Sequence, residues 1–377
     1  MTKTELKQNI TKINKLLRSD NYEAGIELIK TLDNPEITKG TTKAVLAKIK
    51  KFLKQGINLR NDVGWSDRRD YDAIDTGIEL ARELDEPAVF EALLLFGLGS
   101  WKDPEGCAID KKGKLIRNSG FSDSNPVQPY LDYILVSLIG HAPENTKLDK
   151  SLVRSNIKTL DFSGSESDEW PRLPSGLSNL TKLTHLDLSG CWHLQNLEHL
   201  ANLSNLIRLS LYSCNSLQNV DSLANLTNLT SLDLRDCESL QNVDGLSNCK
   251  NLTRFGEPLS TFKGVMEKHQ VDLTLSGCKS LQNVDGLGNL TNLTRLSLSS
   301  CRFLQNVDGL GNLTNLTRLN LYGCQSLQNV DVLVNLPNLT RLNLKYSDKV
   351  QPKPSIEEMT TREEVAAYQE EIRKSMK

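Results

Sequence analysis

Hydrophobic residues recur with a fixed spacing through the C-terminal half of the chain. The clearest unit, residues 206–214, has the pattern L-x-x-L-x-L-x-x-C, after which hydrophobic residues return at every third position until the next copy. A fixed period in the twenties predicts a solenoid in which each coil stacks on its neighbours. The period is marked by two sets of cysteines spaced 23 residues apart, namely Cys191, Cys214 and Cys237, and Cys278, Cys301 and Cys324.

Each coil is predicted to hold one short strand and little α-helix. Leu209 and Leu211 alternate with Ser210 and Tyr212, which is the period of a half-buried strand. After the cysteine, the spacing of three indicates a 3₁₀-like or extended turn, because residues i and i+3 of such a turn share one edge. The strand cores are predicted at Leu160, Leu186, Leu209, Leu232, Leu273, Leu296, Leu319 and Leu342, with a degenerate copy at Phe255.

The copy at Phe255 interrupts the repeat. Glu257 takes the place of a core leucine, and Pro258 lacks the N–H group that a sheet needs. Cys237 and Cys278 are 41 residues apart, so residues 256–270 are expected to bulge from the solenoid or to kink it. This bulge is either a defect of the repeat or a protrusion that faces a partner.

Residues 1–150 have the pattern of an all-α domain instead. Ile10, Ile13 and Leu17 lie on one helical face, for example. Residues 25–35 recur as residues 77–87, and in each copy a helix is predicted to end at an aspartate before a proline begins the next segment. This internal duplication indicates stacked helix pairs.

The complete chain is therefore expected to be an α/β protein with three parts. A helical N-terminal domain covers residues 1–150, and a right-handed solenoid of short parallel strands and 3₁₀ or extended turns covers residues 151–348. A linker and a C-terminal helix cover residues 349–377, where Thr361 and Glu364 form a capping box. This helix is expected to fold over the last coil and shield its open edge.

Composition limits the cellular compartments and the classes of partner that are expected. The formal net charge of −2 argues against nucleic-acid binding, which needs a strong basic excess. No run of 18 apolar residues occurs, and the N-terminus has no apolar core, so we expect a cytoplasmic protein with no membrane partner. Six of the eight cysteines share one repeat position, where we expect a buried column of reduced thiols. No spacing of cysteine and histidine indicates zinc, and we expect no metal and no cofactor.

The repeat units carry a specific resemblance. Residues 309–319 (GLGNLTNLTRL) are similar to the short leucine-rich repeats of internalin and SDS22-like proteins. Residues 186–191 (LDLSGC) resemble units of plant cytoplasmic disease-resistance receptors, although the chain has no nucleotide-binding P-loop and no secretion signal or cell-wall anchor. The resemblance covers about half of the chain. It implies recognition of a partner through the concave face formed by the strands.

The exposed strand positions supply the candidate binding residues. Arg295, Arg318 and Arg341 fall at the same position of consecutive coils, where their mutual repulsion would be relieved by an acidic partner. Arginine and tyrosine are also enriched at binding hot spots. The opposing interpretation is that these residues are solvent-exposed and recur only because the repeat unit was duplicated, without a role in binding. The candidate partner-binding residues are Arg208, Tyr212, Asp233, Arg235, Arg295, Arg318, Tyr322, Arg341 and Lys345.

Other polar columns are assigned structural roles. Five aspartates that follow Asn-Val pairs are expected to accept backbone hydrogen bonds of the next turn rather than to hold a metal, and the asparagines two residues earlier are expected to satisfy backbone groups as well. Catalysis has little support, because the histidines are scattered and Cys107 is a lone thiol among acidic residues that would raise its pKa. The aspartates are Asp221, Asp244, Asp285, Asp308 and Asp331, and the asparagines are Asn219, Asn242, Asn283, Asn306 and Asn329.

The sequence therefore predicts a protein–protein interaction module and no enzyme. Its partner is a protein that binds the concave face, with an acidic surface toward the C-terminal half of the solenoid. The alternative is a substrate-recognition subunit or an enzyme whose activity lies in residues 1–150, and a third possibility is a purely structural spacer. The sequence leaves the partner and the oligomeric state undefined.

Overall fold

Among the residues that it describes, the computed structural model of the chain contains seven α-helices and twelve short strands. It describes residues 1–57, 71–99, 108–109, 115–116, 128–143, 157–162, 172–252, 254–255 and 272–377. Contacts divide the chain into two units, one of residues 1–108 and 117–153 and the other of residues 109–116 and 154–377. Within the described residues, no helix has the length and apolar character needed to cross a membrane.

The first unit is helical, as predicted. Thr2 and Glu5 form a capping box at the start of its first helix. Ile13, Leu17, Ile49 and Ile74 are among its buried residues. The helices are α1 (Lys3–Arg18), α2 (Tyr22–Leu32), α3 (Pro35–Ile57), α4 (Tyr71–Leu84), α5 (Pro87–Gly99) and α6 (Gln128–His141).

The two similar segments, residues 25–35 and 77–87, have similar backbone structure. Both α2 and α4 end at an aspartate in the left-handed conformation, Asp33 with φ 36° and Asp85 with φ 47°, and Pro35 and Pro87 then begin α3 and α5. Each copy also places a glycine where the preceding helix approaches. A Cβ on Gly77 would lie 3.2 Å from side-chain atoms of α3. The duplicated segment is thus a helix–turn–helix unit used twice.

A two-stranded sheet contains β1 (Ala108–Ile109) and β2 (Leu115–Ile116). The residues between these two strands lie outside the described residues. Cys107 and residues 144–156, which precede the first coil, lie outside them too.

The second unit is built on a ten-stranded sheet. Nine parallel strands follow each other in chain order, and each predicted strand core is found in one of them. A tenth strand near the C-terminus pairs antiparallel with the ninth. The strands are β3 (Thr159–Asp161), β4 (His185–Asp187), β5 (Arg208–Ser210), β6 (Ser231–Asp233), β7 (Arg254–Phe255), β8 (Asp272–Thr274), β9 (Arg295–Ser297), β10 (Arg318–Asn320), β11 (Arg341–Asn343) and β12 (Glu358–Met359).

Opposite the strands, the coils contain 3₁₀ turns, as the spacing of three predicts. Most are three residues long, and their third residue is a buried leucine. The leucines and valines of the repeat pattern are almost completely buried, and they form the core between strands and turns. The turns cover Ser175–Asn179, Glu198–Leu200, Asp221–Leu223, Asp244–Leu246, Asp285–Leu287, Asp308–Leu310 and Asp331–Asn335.

The cysteine column bonds the coils to each other. The six ladder cysteines are buried and reduced, as expected, and Cys249 is a seventh buried free thiol. From Cys214 onward, each ladder thiol donates a hydrogen bond to a backbone carbonyl of the preceding coil, at 3.2–3.3 Å. In the last coil Ser347 takes this place, and its hydroxyl donates to the Leu321 carbonyl at 2.7 Å. The ladder position therefore holds a small side chain that donates a hydrogen bond, and not only a small apolar one.

The interrupted copy has only part of a coil. Cys278 donates to the carbonyl of Leu234 at 3.2 Å, so the coils of Cys237 and Cys278 are direct neighbours at this position, although the two cysteines are 41 positions apart in the sequence. Between their strands lies β7, which pairs with β6 on one side and with β8 on the other. The bulge predicted for residues 256–270 lies outside the described residues.

The C-terminal segment covers the last coil. Thr361 and Glu364 form the predicted capping box of α7 (Arg362–Ser375). Gln369 donates to the carbonyls of Leu333 and Leu336 at 2.6 and 3.1 Å, and the Tyr368 hydroxyl donates to the Pro352 carbonyl at 2.7 Å. The free edge of β11 is filled by β12, a strand that the sequence did not predict.

Candidate functional site

Each coil has three positions along its strand that we call columns: the residue before the first core leucine (first column), the residue between the two core leucines (middle column) and the residue after the second core leucine (third column). These positions of β3–β11, together with the residue that follows the third column, form what we call the strand face. Its first column is one continuous register, since each residue pairs with its equivalent in the next strand. Toward the C-terminus, Arg295 pairs with Arg318 and Arg318 with Arg341. The structure thus places the three predicted arginines side by side. In chain order the column contains Thr159, His185, Arg208, Ser231, Arg254, Asp272, Arg295, Arg318 and Arg341.

Two exposed tyrosines lie on the same end of the strand face. The rings of Tyr322 and Tyr346 meet edge to face, with 5.0 Å between their centroids, and the side chains are 38 % and 60 % exposed. Tyr346 has φ 60°, a left-handed conformation that is uncommon for a bulky residue and is often found at functional positions. We call Arg295, Arg318, Arg341, Tyr322 and Tyr346 the C-terminal patch.

Tyr346 was not predicted as a site residue, although the sequence holds a signal for it. The residue before the ladder position has positive φ in the other described coils from Cys191 onward too. Those coils place glycine, serine or aspartate there, and a large aromatic side chain is the exception. The equivalent residues are Gly190, Ser213, Asp236, Gly277, Ser300 and Gly323.

Lys345, a predicted site residue, has a partner within the chain. Its ammonium group forms an ion pair with Glu358 of β12, and this bond raises the pKa of Lys345. Both side chains remain about half exposed. A carboxylate of the same chain thus already binds a cation of the strand face beside the C-terminal patch.

The N-terminal half of the strand face holds a second cluster. The Arg235 guanidinium forms hydrogen bonds with both carboxylate oxygens of Asp233, the shortest at 2.7 Å, and it lies 5.1 Å from the Tyr212 ring centroid. The hydrogen bonds with Asp233 raise the pKa of Arg235 above its ordinary value. The three predicted residues are therefore brought together, and the buried carboxylate of Asp233 orients the Arg235 side chain.

Arg208 lies in the first column, half-buried beside His185 in the register. Burial, and to a lesser degree the charge of Arg208, lowers the pKa of His185. This part of the strand face consequently carries one permanent cation and a neutral imidazole near pH 7.

The middle column of the strand face has a structural role that the sequence did not reveal. Its side chains accept a hydrogen bond from the backbone N–H two residues later and so fix the turn that follows each strand. The contacts available to a partner therefore come mainly from the first and third columns. The acceptors are Asp187, Asp233, Thr274, Asn320 and Asn343, with N···O distances of 2.9–3.3 Å.

At the 3₁₀ turns, on the side of each coil opposite the strand, the asparagines accept the backbone hydrogen bonds and the aspartates do not, which differs from the prediction for the aspartates. Each predicted asparagine accepts the backbone N–H of the aspartate two residues later, for example Asn219 from Asp221 at 3.3 Å and Asn329 from Asp331 at 2.7 Å. The asparagine prediction is confirmed. In the parts of the solenoid that the structure describes, the aspartate carboxylates accept no backbone hydrogen bond, because the asparagines already cap these 3₁₀ turns.

The ladder thiols are unsuited to nucleophilic chemistry. Burial raises the pKa of Cys214, Cys237, Cys278 and Cys301 well above the ordinary value, and that of Cys324 to about 12. A protonated thiol is a poor nucleophile and a poor metal ligand. Among the described residues, no group of three or more histidine, cysteine, aspartate and glutamate side chains is arranged to hold a metal ion.

Two family models match the solenoid. Residues 175–257 match Zer-1-like leucine-rich repeats, and residues 272–351 match the BspA-type leucine-rich repeat region. The matches begin and end on either side of the interruption, and their strand-and-turn coils are those found in the structure. The chain is a leucine-rich repeat protein. Leucine-rich repeat domains are generally protein–protein interaction modules and typically non-enzymatic.

Several solved structures resemble this leucine-rich repeat protein, and no curated protein matches its sequence. Internalin C2 of Listeria monocytogenes is 22 % identical over 58 % of this chain and 84 % of its own, with a TM-score of 0.37. The leucine-rich repeat domain of the type III effector XopL is 15 % identical over 79 % and 93 %, with a TM-score of 0.39.

A third structure, the functional domain of InlJ from Listeria monocytogenes, includes a cysteine ladder. It is 20 % identical over 56 % of this chain and 43 % of its own, with a TM-score of 0.36. Because all three TM-scores lie below 0.5, the identification rests on the family models and on the repeat geometry.

Proposed function

We propose that this leucine-rich repeat protein binds a protein partner through its strand face, and that the C-terminal patch is the centre of the contact. The register of Arg295, Arg318 and Arg341 carries the proposal, because it places three arginines at equivalent positions of neighbouring strands. The adjacent Tyr322 and Tyr346 add exposed aromatic surface. Arginine and tyrosine are the residue types that dominate hot spots of protein interfaces.

The charge of the patch indicates an acidic partner surface. Arg295, Arg318 and Arg341 concentrate positive charge at neighbouring register positions. Carboxylates form strong, charge-assisted hydrogen bonds with guanidinium groups, so an acidic surface is the matching partner chemistry. The ion pair of Lys345 with Glu358 supports the same chemistry, since it is a carboxylate bound next to the patch.

The strand face is also large enough for a specific interface. Nine strands at about 4.8 Å give a length of roughly 40 Å, which accommodates a standard interface of about 800 Å² per partner. The cluster of Tyr212 and Arg235 lies several strands away from the C-terminal patch. It offers a second contact whose geometry is held in advance by Asp233.

The test compares three full-length proteins as baits in lysate of the source cells. The first is the unchanged chain, the second carries Arg318→Glu and Arg341→Glu, and the third carries Lys182→Glu and Lys250→Glu as a matched control. Both control lysines are exposed and lie outside the strand face. We expect a protein that is captured by the unchanged and control chains and lost by the second, and its purified form should bind the second chain about thirtyfold more weakly, as for a hot-spot loss of ~2 kcal/mol.

The folding of the three baits is compared by circular dichroism and thermal unfolding. Equal capture by all three folded baits would show that the C-terminal patch is not the binding site. Loss of capture by the control bait to the same extent would show that net charge, rather than the patch, governs binding. The described part of residues 1–150 offers no observation that favours the alternative of an activity in that segment.

A further inference from the structure

The charge of the chain is distributed unevenly. The whole sequence has a formal net charge of −2, yet α1 and α3 together contain eleven lysines and arginines and two glutamates. Of the two acids, Glu5 is engaged in the capping box with Thr2, and Glu36 lies in the first turn of α3. These two helices are therefore strongly basic, and the net charge of the sequence conceals this.

The structure packs α1 and α3 side by side. The Asn14 side chain of α1 donates to the Gly40 carbonyl of α3 at 3.3 Å. A Cβ on Gly40 would come within 2.6 Å of Ile10, so the glycine permits the close approach. Lys48 of α3 is buried and donates to the Ser19 carbonyl at the end of α1 at 3.0 Å. The contact thus extends from the middle of α1 to its C-terminus.

Exposed cations border this contact on both helices. On α1, Lys7 and Arg18 lie on the same stripe as Asn14, because residues 7, 11, 14 and 18 share one helical face. On α3, Lys51 lies on the stripe of Gly40. Lys39 and Lys43 lie next to it and line an open depression of about 470 Å³ together with Leu46. We call Lys7, Arg18, Lys39, Lys43 and Lys51 the basic seam; all five are exposed.

The composition of the basic seam distinguishes between classes of anionic partner. Protein interfaces are depleted in lysine and enriched in arginine, tyrosine and tryptophan, and binding of single-stranded nucleic acid uses aromatic stacking. Four of the five seam cations are lysines, and within the described parts of α1 and α3 no large apolar side chain is strongly exposed. Lysine clusters without aromatic anchors are typical of surfaces that bind anionic lipid headgroups by charge alone.

We infer that the basic seam binds the surface of an anionic lipid bilayer peripherally, without insertion. The depression is open and all its lining residues belong to the single helix α3, so it fits an array of headgroups better than one enclosed ligand. The basic seam lies in the helical unit and the strand face in the other unit, so the two proposals rest on different residues. An experiment that disproves one of them does not test the other.

The experiment measures co-flotation of the full-length protein with large unilamellar vesicles. One set contains phosphatidylcholine with 30 % phosphatidylserine and the other phosphatidylcholine alone. We expect binding only to the anionic vesicles, and its loss in 0.5 M salt because screening weakens the attraction. The variant Lys39→Gln, Lys43→Gln should bind about 25-fold more weakly, since each lysine near the surface contributes roughly a fivefold factor.

A matched control, Lys182→Gln, Lys250→Gln, removes the same charge from exposed positions of the solenoid and should bind within about twofold of the unchanged protein. Glutamine is a good helix former, so the seam variant should keep its helical circular dichroism spectrum. Absence of binding to anionic vesicles at low salt, or equal binding by the seam variant, would overturn the inference. Tighter binding of a 30-base oligonucleotide or of a polyglutamate peptide than of the vesicles would assign the seam to nucleic acid or to an acidic protein instead.

Discussion

At the scale of single residues, this leucine-rich repeat protein is held together by contacts that repeat from coil to coil. The ladder thiols donate to carbonyls of the preceding coil, and Ser347 does the same in the last one. Within each coil, an asparagine side chain accepts the backbone N–H of the first residue of the 3₁₀ turn. The sequence located these residues because their spacing is regular. It assigned the cysteines only a packing role, because the thiol–carbonyl bond joins residues of two coils and is decided by how the coils stack.

Gly286 provides a test of the stacking distance. A Cβ at this position would lie 2.1 Å from the Val243 carbonyl oxygen, across the boundary of the interrupted repeat. The neighbouring backbone must move to admit it, and overpacking of this kind costs about 1–3 kcal/mol. We therefore expect Gly286→Ala to lower the thermal unfolding temperature of the protein, measured by circular dichroism.

Gly288→Ala is the matched control for that substitution. Gly288 follows the same 3₁₀ turn, and Ala201 and Ala224 occupy its position in two other coils. Its backbone has ordinary helical dihedral angles, so alanine should change stability by less than about 1 kcal/mol. Equal unfolding temperatures for Gly286→Ala and Gly288→Ala would contradict the prediction, and would mean that the backbone around Val243 can move away from residue 286 at little cost in stability.

At the scale of elements, the ends of the solenoid decide where unfolding begins, because each coil is stabilised only by its neighbours. At the C-terminus, β12 fills the edge of β11 and α7 covers the last 3₁₀ turn. Removal of residues 361–377 should expose buried apolar surface around Leu333 and Leu336. We expect the truncated protein to show faster amide hydrogen exchange in β11 and the adjoining turn, with little change near β4 and β5.

The single substitution Thr361→Ala is a milder version of the same test. It removes one side of the capping box and should destabilise α7 by about 1 kcal/mol, with exchange rates between those of the unchanged and truncated proteins. If the truncation leaves exchange in β11 unchanged, α7 is not a cap of the solenoid.

The elements also show what sequence patterns can and cannot predict. The strands, the 3₁₀ turns, the helix–turn–helix duplication and α7 were predicted, because each depends on a periodicity or on local capping residues. The pairing of β12 was missed, since two residues carry too little pattern to reveal a strand whose partner is made by the fold. In the candidate site, the arginine column was found from spacing, whereas Tyr346 and the structural role of Asp233 depend on backbone conformation and on burial.

At the scale of the whole molecule, the buried thiols make stability sensitive to alkaline pH. An exposed thiol ionises near pH 9, whereas burial raises the pKa of Cys249 to about 11 and that of Cys324 to about 12. Above pH 9 the unfolded chain therefore releases protons that the folded chain keeps. The free energy of unfolding falls as pH rises, by roughly 1 kcal/mol per pH unit for each such thiol until its folded-state pKa is reached.

We expect the urea midpoint of unfolding to decrease steeply from pH 9 to pH 10.5 and to change little from thiol ionisation between pH 7 and pH 8. Cys301→Ser removes one ionising group and retains a hydrogen-bond donor, as Ser347 does naturally. Its stability should decline less steeply with pH than that of the unchanged protein. Parallel declines for the two proteins would show that the thiols do not cause the alkaline sensitivity.

The sequence by itself determined the architecture of this protein. Its 23-residue period specified stacked coils, its alternating leucines specified the strands, and its duplicated helix ends specified the N-terminal unit. These features are local, because spacing and capping act within a few residues of each other. The same regularity placed the arginines in one column, since equal spacing in the chain becomes alignment across the sheet.

The tertiary structure alone decided which polar groups remain available for binding. It engaged Asp233 with Arg235 and Lys345 with Glu358, and it brought Tyr346 against Tyr322. It also placed α1 beside α3, so that a sequence of nearly neutral net charge carries a basic surface. The physical reason is that charge pairing and burial depend on distances between segments far apart in the chain, and folding sets those distances.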